Sequence, residues 1–117
     1  MKNVILNGAI LDLDGATLSQ PTGKIITVDD RPQSEIAKVT FAGLAKRTVV
    51  ASRVQTDAES EILFALAVKL NDTSKVAEPE TLQLTDDELL WVKKAIDREP
   101  IIIRHRFSEM VEAQNPA

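Results

Sequence analysis

The spacing of apolar residues changes near residue 40, and this change divides the chain into two parts. Residues 1–39 hold short, β-branched apolar runs separated by turn signals, which is typical of strands. From residue 40 to residue 113 the apolar residues recur every three or four positions, which is typical of amphipathic helices. We therefore predict an α+β fold in a single domain, with a β-rich arm over 1–39, a compact four-helix cluster over 40–113 and a frayed tail over 114–117.

The first part predicts a β-meander of two or three short strands. Asn7-Gly8 is the strongest short signal for a two-residue hairpin turn, and Lys24–Val28 is the clearest strand. Pro32 cannot donate a hydrogen bond to a neighbouring strand, so we interpret 29–34 as a polar linker. The next residues, 35–39, fit either a further strand or a turn of helix.

Two helices are predicted in the middle of the chain. Thr40 is a suitable N-cap for a helix that ends near Ser52, and Asp57 is a suitable N-cap for a helix over 58–71. The apolar residues of the second helix, over 62–70, occupy almost its whole circumference. A helix without a polar face is buried on several sides, so we expect this helix to form the centre of the core.

The last third of the chain carries the most specific local signals. The sequence Thr85-Asp86-Asp87-Glu88 is a capping box, and its two central acids lie in a first helical turn, where the helix dipole favours them. A short extended segment, 82–84, precedes it. Pro100 ends this helix and can head the next one, over 101–113. We expect both helices to pack against the 62–70 helix.

Composition limits the possible functions more than it changes the predicted fold. Hydrophobic residues make up 44% of the 117 residues and cysteine is absent, which excludes disulfide scaffolds and cysteine-based zinc or nucleophilic sites. No apolar run is long enough to cross a membrane and no leader peptide is recognisable, so we expect a cytoplasmic location and no membrane partner. The net charge of −4 argues against general nucleic-acid binding, which requires a basic face.

The charges are distributed unevenly along the chain. Residues 36–56 hold four basic side chains and no acidic one, whereas residues 76–92 hold five acidic side chains and no basic one. One interpretation is ordinary solvated helix faces, and the other is a surface of two signs that pairs with neighbouring copies or with a partner protein. The second interpretation gives these candidate partner-binding residues: Lys46, Arg47, Arg53, Asp86, Asp87, Trp91, Arg98, Arg104 and Arg106.

Two features suggest catalysis on first inspection. Residues 10–18, ILDLDGATL, resemble the first motif of the haloacid dehalogenase-type phosphatases, in which Asp12 would attack phosphorus and Asp14 would protonate the leaving group. However, Ala16 displaces the Thr that should follow the Gly, and the family's downstream metal motif is missing, so a β-turn is the better interpretation. His105, the only histidine, has no triad partner in the sequence. We therefore expect no enzyme activity, no metal and no cofactor.

The order of these motifs resembles a group of small, mostly uncharacterised proteins of tailed bacteriophages and prophages. The chain has a DLDG turn near its start, an apolar helix, a helix capped by LTDDEL and a closing segment EPIIIRHRFSEMV. That group has a similar DLDG opening, an LT-x-E-E helix and a Y-x-P-L-V-V helix, whereas this chain carries Ile-Ile-Ile-Arg-His-Arg after its proline and has a longer mid-section. The resemblance implies a viral accessory or structural protein and supplies no catalytic residues.

Together these observations predict a non-enzymatic protein–protein interaction module. The resemblance implies a small, multi-copy structural or assembly component of a tailed phage virion, whose partners are copies of itself or other phage structural proteins. The alternative is a soluble phage-encoded regulator that binds and blocks a host protein, with the acidic segment 78–88 imitating an acidic ligand. Both functions place the protein in the host cytoplasm, and the first also places it in the assembled particle.

Overall fold

Strands and helices follow one another in the order that the change of pattern near residue 40 predicts. A computed structural model describes residues 1–53 and 56–116, apart from the side chain of Thr22. Eight elements lie in these residues: β1 (Lys2–Ile5), β2 (Ser19–Val28), β3 (Arg31–Lys38), α1 (Phe41–Val50), α2 (Asp57–Ser74), β4 (Thr81–Leu84), α3 (Asp86–Ile96) and α4 (Ile101–Gln114). The predicted α+β class, with strands at the N-terminal end and four helices, is confirmed.

A two-stranded antiparallel sheet joins the beginning of the chain to its last third. β1 pairs with β4, so that Val4 lies opposite Leu82, and α4 packs against β1. Beyond α4, the side-chain amide of Asn115 donates to the carbonyl of Asn3 (2.7 Å) and accepts from its backbone amide (2.8 Å). The ordered part of the chain therefore extends past the predicted boundary at residue 113, because these two hydrogen bonds hold Asn115 against β1.

Asn7 lies in the interior instead of forming the predicted hairpin turn. Its side chain is 1% exposed, and its amide nitrogen donates to the carbonyls of Val76 (3.1 Å) and Glu78 (2.8 Å). Its amide oxygen accepts from the backbone N–H of Glu80 (3.0 Å). The hairpin prediction at Asn7-Gly8 is wrong, because β1 finds its partner in β4 and Asn7 instead fixes the loop that leads into β4.

The core is centred on α1, which packs against both α2 and α3. α1 buries five residues, whereas α2 buries only one face, formed by Leu63, Leu66, Leu70 and Thr73. Ile62, Phe64 and Val68 on α2 remain exposed. The prediction that the 62–70 helix is the buried centre of the core is therefore wrong, because the rest of the chain covers only one side of it. α4 also departs from expectation, since it packs against β1 and α3.

β2 and β3 form a second antiparallel sheet, which we call the hairpin (Ser19–Lys38). Asp29 and Asp30 form its two-residue turn, both with positive φ (51° and 62°), as a type I′ turn requires. Pro32 lies opposite Thr27 within the ladder. The predicted linker over 29–34 is wrong, since proline is tolerated where its nitrogen faces the open edge of a sheet. The segment after it continues as a strand to Lys38.

The predicted helix starts are confirmed at three of four positions. The hydroxyl of Thr40 accepts from the N–H of Gly43 (3.1 Å) and caps α1, and Pro100 occupies the N-cap position of α4. The capping box at the start of α3 is also present. For α2 the N-cap is Thr56, whose hydroxyl accepts from the N–H of Glu59, so the prediction of Asp57 is wrong by one position. Asp57 instead belongs to the first turn, where the helix dipole favours an acid.

Candidate functional site

The Asp12–Gly15 segment is a self-contained turn. A carboxylate oxygen of Asp12 accepts from the backbone N–H groups of Asp14 (2.9 Å) and Ala16 (3.0 Å), and Gly15 has a φ of 83°. These local hydrogen bonds and the positive φ are the features of the predicted β-turn. Within residues 1–53 and 56–116, no group of three or more acidic, histidine or cysteine side chains is arranged to hold a metal ion.

The start of α3 separates the acidic residues into a buried one and two exposed ones. Glu88 is 7% exposed and closes the capping box, because its side chain accepts from the N–H of Thr85 (3.0 Å) and forms an ion pair with Lys69 (2.8 Å). Burial raises the pKa of the Glu88 carboxyl, but the hydrogen bonds from Lys69 and Thr85 lower it by more, so that the net pKa lies below the ordinary value. Only Asp86 and Asp87 therefore present acidic charge to solvent at this helix start.

Four of the predicted partner-binding residues come together in one concave surface, which we call the arginine groove. Arg47, Arg53, Trp91 and Arg98 line this cavity of about 480 Å³, with Thr48, Ala51 and Ser52 between them. The groove lies where the end of α1 meets α3, so packing of these two helices brings the arginines together. Within the part of the chain that the structure describes, none of the three guanidinium groups forms a hydrogen bond or an ion pair.

Trp91 lies in the wall of the arginine groove and is half-buried. The ammonium of Lys94 lies 4.8 Å from the centre of its ring, within the range of a cation–π contact. Lys94 and the three arginines of the groove thus place cationic side chains near the indole. The arrangement is suited to binding a negatively charged group beside an apolar surface.

Lys46, Arg104 and Arg106 do not belong to the arginine groove. Lys46 donates to the side chain of Asn71 (2.8 Å) and so links α1 to α2. Arg106 donates to the carbonyls of Leu11 (3.0 Å) and Asp12 (3.0 Å), which fastens the 11–17 turn to α4. Arg104 lies 3.8 Å from Asp97 in an exposed ion pair. The basic residues of the last third therefore divide between different surfaces.

The surface of α4 is also covered by local ion pairs. Glu109 contacts both His105 (3.0 Å) and Arg106 (2.9 Å) on the same helix. The Arg106 hydrogen bond holds the pKa of the Glu109 carboxyl below its ordinary value. A cavity of about 660 Å³ lies between α3 and α4, but Lys93, Asp97, Arg104 and Glu112 give it mixed charge. It therefore favours neither cationic nor anionic ligands.

Two apolar surfaces are uncovered, and the sequence interpretation did not identify either as a candidate site. Every described residue of the hairpin is exposed except Glu35, including Ile25 (69%) and Ile36 (66%). On α2, Phe64 (73%) and Val68 (45%) lie one turn apart on the side away from the core. The signal for the second surface was the nearly continuous apolar circumference of α2 over 62–70, since apolar residues that the chain does not bury remain available to a partner.

In residues 1–53 and 56–116, no helix combines the length and the apolar character needed to cross a membrane. Comparison of the chain with protein-family models, with curated proteins and with solved structures finds no match.

Proposed function

We propose that this protein is a non-enzymatic protein–protein interaction module that works in several copies, as a small structural or assembly component of a tailed phage particle. The observation that carries the proposal is the uncovered apolar face of the hairpin. The phage setting rests on the resemblance of the DLDG turn and of the LTDDEL-capped helix to small phage proteins.

One face of the hairpin is apolar along most of its length. Residues opposite each other in an antiparallel pair share a face, and alternate residues of a strand do as well. Ile25 lies opposite Ser34, Pro21 lies opposite Ile36, and the extra residues of β2 between these pairs leave the faces unchanged. This face therefore presents the following side chains: Pro21, Ile25, Thr27, Pro32, Ser34 and Ile36.

Such a hairpin is a poor structure for an isolated subunit. A two-stranded ribbon is marginally stable by itself in water, and its open edges offer unpaired backbone groups to other strands. At its base, the N–H of Val39 donates to the carbonyl of Leu18 (2.9 Å) and so joins the two ends of the hairpin, and the N–H of Leu18 donates to the carbonyl of Ile10 (2.8 Å) in the core. Covering the apolar face with a neighbouring subunit removes Ile25 and Ile36 from water, and association is favourable for this reason.

The outer side of α2 supplies a surface on which the hairpin of another copy can lie. Phe64 and Val68 form an apolar patch at a place distinct from the hairpin. Contact between two different patches of the same chain is heterologous, so it repeats from copy to copy and produces a ring or a filament. Multi-copy assemblies of this kind are what a structural component of a particle requires.

The alternative function, a regulator that imitates an acidic ligand, receives less support from the acidic segment. Glu88 is buried against Lys69, and the side chains of Asp86 and Asp87 are the exposed acids of the α3 start. The segment therefore presents less continuous negative charge than its composition suggests.

Sedimentation velocity over a range of protein concentrations tests the proposal. We expect the wild-type protein to form oligomers, and we expect Ile25→Lys and Phe64→Lys to shift the distribution towards smaller species because each places a charge in the proposed contact. Ile26→Lys is the matched control, since Ile26 is the next residue on the same strand and points to the opposite face. It should assemble like the wild type.

The setting is tested by immunodetection of the protein in purified particles of the phage that encodes it. A wild-type protein that stays monomeric at all concentrations and is absent from the particles would overturn the proposal. If Ile26→Lys loses assembly as much as Ile25→Lys does, the apolar face of the hairpin is not the contact surface. Circular dichroism of each variant ensures that the loss does not reflect unfolding.

A further inference from the structure

We infer that α3 carries a self-complementary face through which two copies of this chain pair around a twofold axis. The inference rests on the proposed function, since it requires a protein that works in several copies, and it names a second contact that is separate from the hairpin. The partner is another copy of the chain in the opposite orientation. Three side chains of α3, together with Arg98 just beyond its end and the arginine groove, carry the inference.

Asp87, Trp91, Lys94 and Arg98 follow one another at steps of four, three and four residues, so they lie along one side of the helix. The structure agrees, because Lys94 lies against the Trp91 ring and Arg98 lines the same groove as Trp91. Asp97 after α3 keeps helical dihedral angles (φ −62°, ψ −14°), which continues the stripe as far as Arg98. Asp87, Lys94 and Arg98 are exposed.

The order of these residues is self-complementary. The midpoint between Asp87 and Arg98 lies between residues 92 and 93. The midpoint between Trp91 and Lys94 lies at the same place. A twofold axis through this point relates α3 to an antiparallel copy. It places residue 87 opposite residue 98 and residue 91 opposite residue 94 at the same time.

In that arrangement Asp87 of each copy faces Arg98 of the other, and the indole of each copy faces the ammonium of Lys94 from the other. Each contact occurs twice, as in every isologous dimer. The stripe spans about 16 Å, from the helical rise of 1.5 Å per residue. This is long enough for two ion pairs at its ends with two cation–π contacts between them.

The arginine groove explains why an acid from outside is needed. Arg47 and Arg53 lie beside Arg98, and these three cationic groups form no ion pair with the described residues. Like charges held together are unfavourable until a negative group joins them. Asp87 of a twofold-related copy supplies such a group, and charge-assisted hydrogen bonds from guanidinium groups to a carboxylate are among the stronger ones.

Charge exchange within the stripe tests the inference on the full chain. Asp87→Lys and Arg98→Glu each place like charges opposite one another twice, so each should raise the dimer Kd by about tenfold or more. The double variant Asp87→Lys/Arg98→Glu restores opposite charges at both ends and should return Kd to within about threefold of the wild-type value. An equimolar mixture of the two single variants should form a heterodimer in native mass spectrometry.

A stability effect cannot produce this pattern. Both substitutions oppose the helix dipole, and that destabilisation adds in the double variant while the dimer contact recovers. Asp86→Lys is the matched control, because it makes the same charge change in the same helical turn but lies about 100° away from the stripe. We expect it to dimerise within about twofold of the wild type.

Trp91 provides a local readout, because it is the only tryptophan of the chain and the chain has no tyrosine. Its emission should move to longer wavelength as the wild-type dimer is diluted, and Ile25→Lys should retain this response because the hairpin is not part of the contact. A double variant that stays as weak as the single variants overturns the inference. So does a wild-type protein that assembles without any change in Trp91 emission, an outcome that leaves the hairpin-based proposal intact.

Discussion

Replacing Asn7 should destabilise the protein more than replacing any other single polar side chain discussed here, and alanine is the simplest replacement. Asn7 makes three hydrogen bonds to backbone groups of the loop before β4, with donor–acceptor distances of 2.8–3.1 Å, and it is 1% exposed. A buried hydrogen bond contributes about 1 kcal/mol net, so the loss of three costs about 3 kcal/mol. For a domain of this size the corresponding decrease in Tm is on the order of 10 °C.

Asn7→Asp tests which half of the amide matters. The aspartate keeps the shape and the oxygen that accepts from Glu80, but it cannot donate to the carbonyls of Val76 and Glu78 when it is ionised. It also places a negative charge beside those two carbonyl oxygens. We expect a loss near neutral pH at least as large as that of Asn7→Ala.

Urea unfolding followed by far-UV circular dichroism measures both free energies of unfolding. The matched control is Asn71→Ala, which removes one half-exposed hydrogen bond to Lys46 and should cost less than about 1 kcal/mol. If Asn7→Ala unfolds with the same free energy as this control, then the buried amide does not hold the loop and the reasoning from burial and hydrogen bonding fails. The slope of the unfolding curve should not change, because the variant exposes the same surface when it unfolds.

Two further predictions concern helix starts. Glu88→Gln should remove a pH-dependent part of the stability. Because folding lowers the pKa of the Glu88 carboxyl, its ionised form stabilises the wild type at pH values above the ordinary pKa of 4.5. This stabilisation is lost as the pH falls through the lower pKa of the folded state. The difference in free energy of unfolding between wild type and variant should therefore be constant near neutral pH and shrink in acid, and a pH-independent difference would contradict the pKa argument. Thr56→Ala should cost about 1 kcal/mol, whereas Asp57→Ala should cost about 0.5 kcal/mol or less, because Thr56 carries the cap; thermal unfolding compares the two, and the reverse order would return the cap to Asp57.

Features that depend on neighbouring residues were predictable from the sequence. The capping box joins Thr85 to Glu88 within one helical turn, and the cap of α1 joins Thr40 to Gly43 over the same distance. Both need only a local match between a side chain and unpaired backbone N–H groups. The class of the fold follows from such local patterns as well.

Features that depend on distant residues were not predictable in this way. Asn7 followed by glycine is a sound turn signal, but its outcome is decided by the loop around Val76 and Glu78, which lies far along the chain. The apolar residues around α2 suggest that several of its sides are buried. Only the packed structure shows that the chain itself buries just one side. Tertiary contacts override local preference in both cases.

The sequence identified the residues of the arginine groove but not their arrangement, because the arrangement also depends on tertiary contacts. Arg98, Arg104 and Arg106 lie close together in the sequence, but Arg104 and Arg106 belong to α4, which begins after Pro100 and carries them to other partners. The residues that lie beside Arg98, namely Arg47 and Arg53, come from a segment about fifty residues earlier. Their basic charge was visible in the sequence, whereas their position beside Trp91 depends on the packing of α1 against α3.

The pairing of β1 with β4 has a consequence for how the chain is made. Lys2 lies opposite Leu84, and the backbone N–H of Asn3 donates to the side chain of Asn115, a residue 112 positions away. The first strand therefore cannot pair until most of the chain has left the ribosome. At about 5–20 residues per second, several seconds of synthesis separate β1 from its partner. The hairpin, by contrast, pairs two strands that are adjacent in the sequence and can form within about 10 microseconds once it emerges. Its apolar face is therefore available to neighbouring nascent chains on the same messenger RNA before the core of its own subunit has closed.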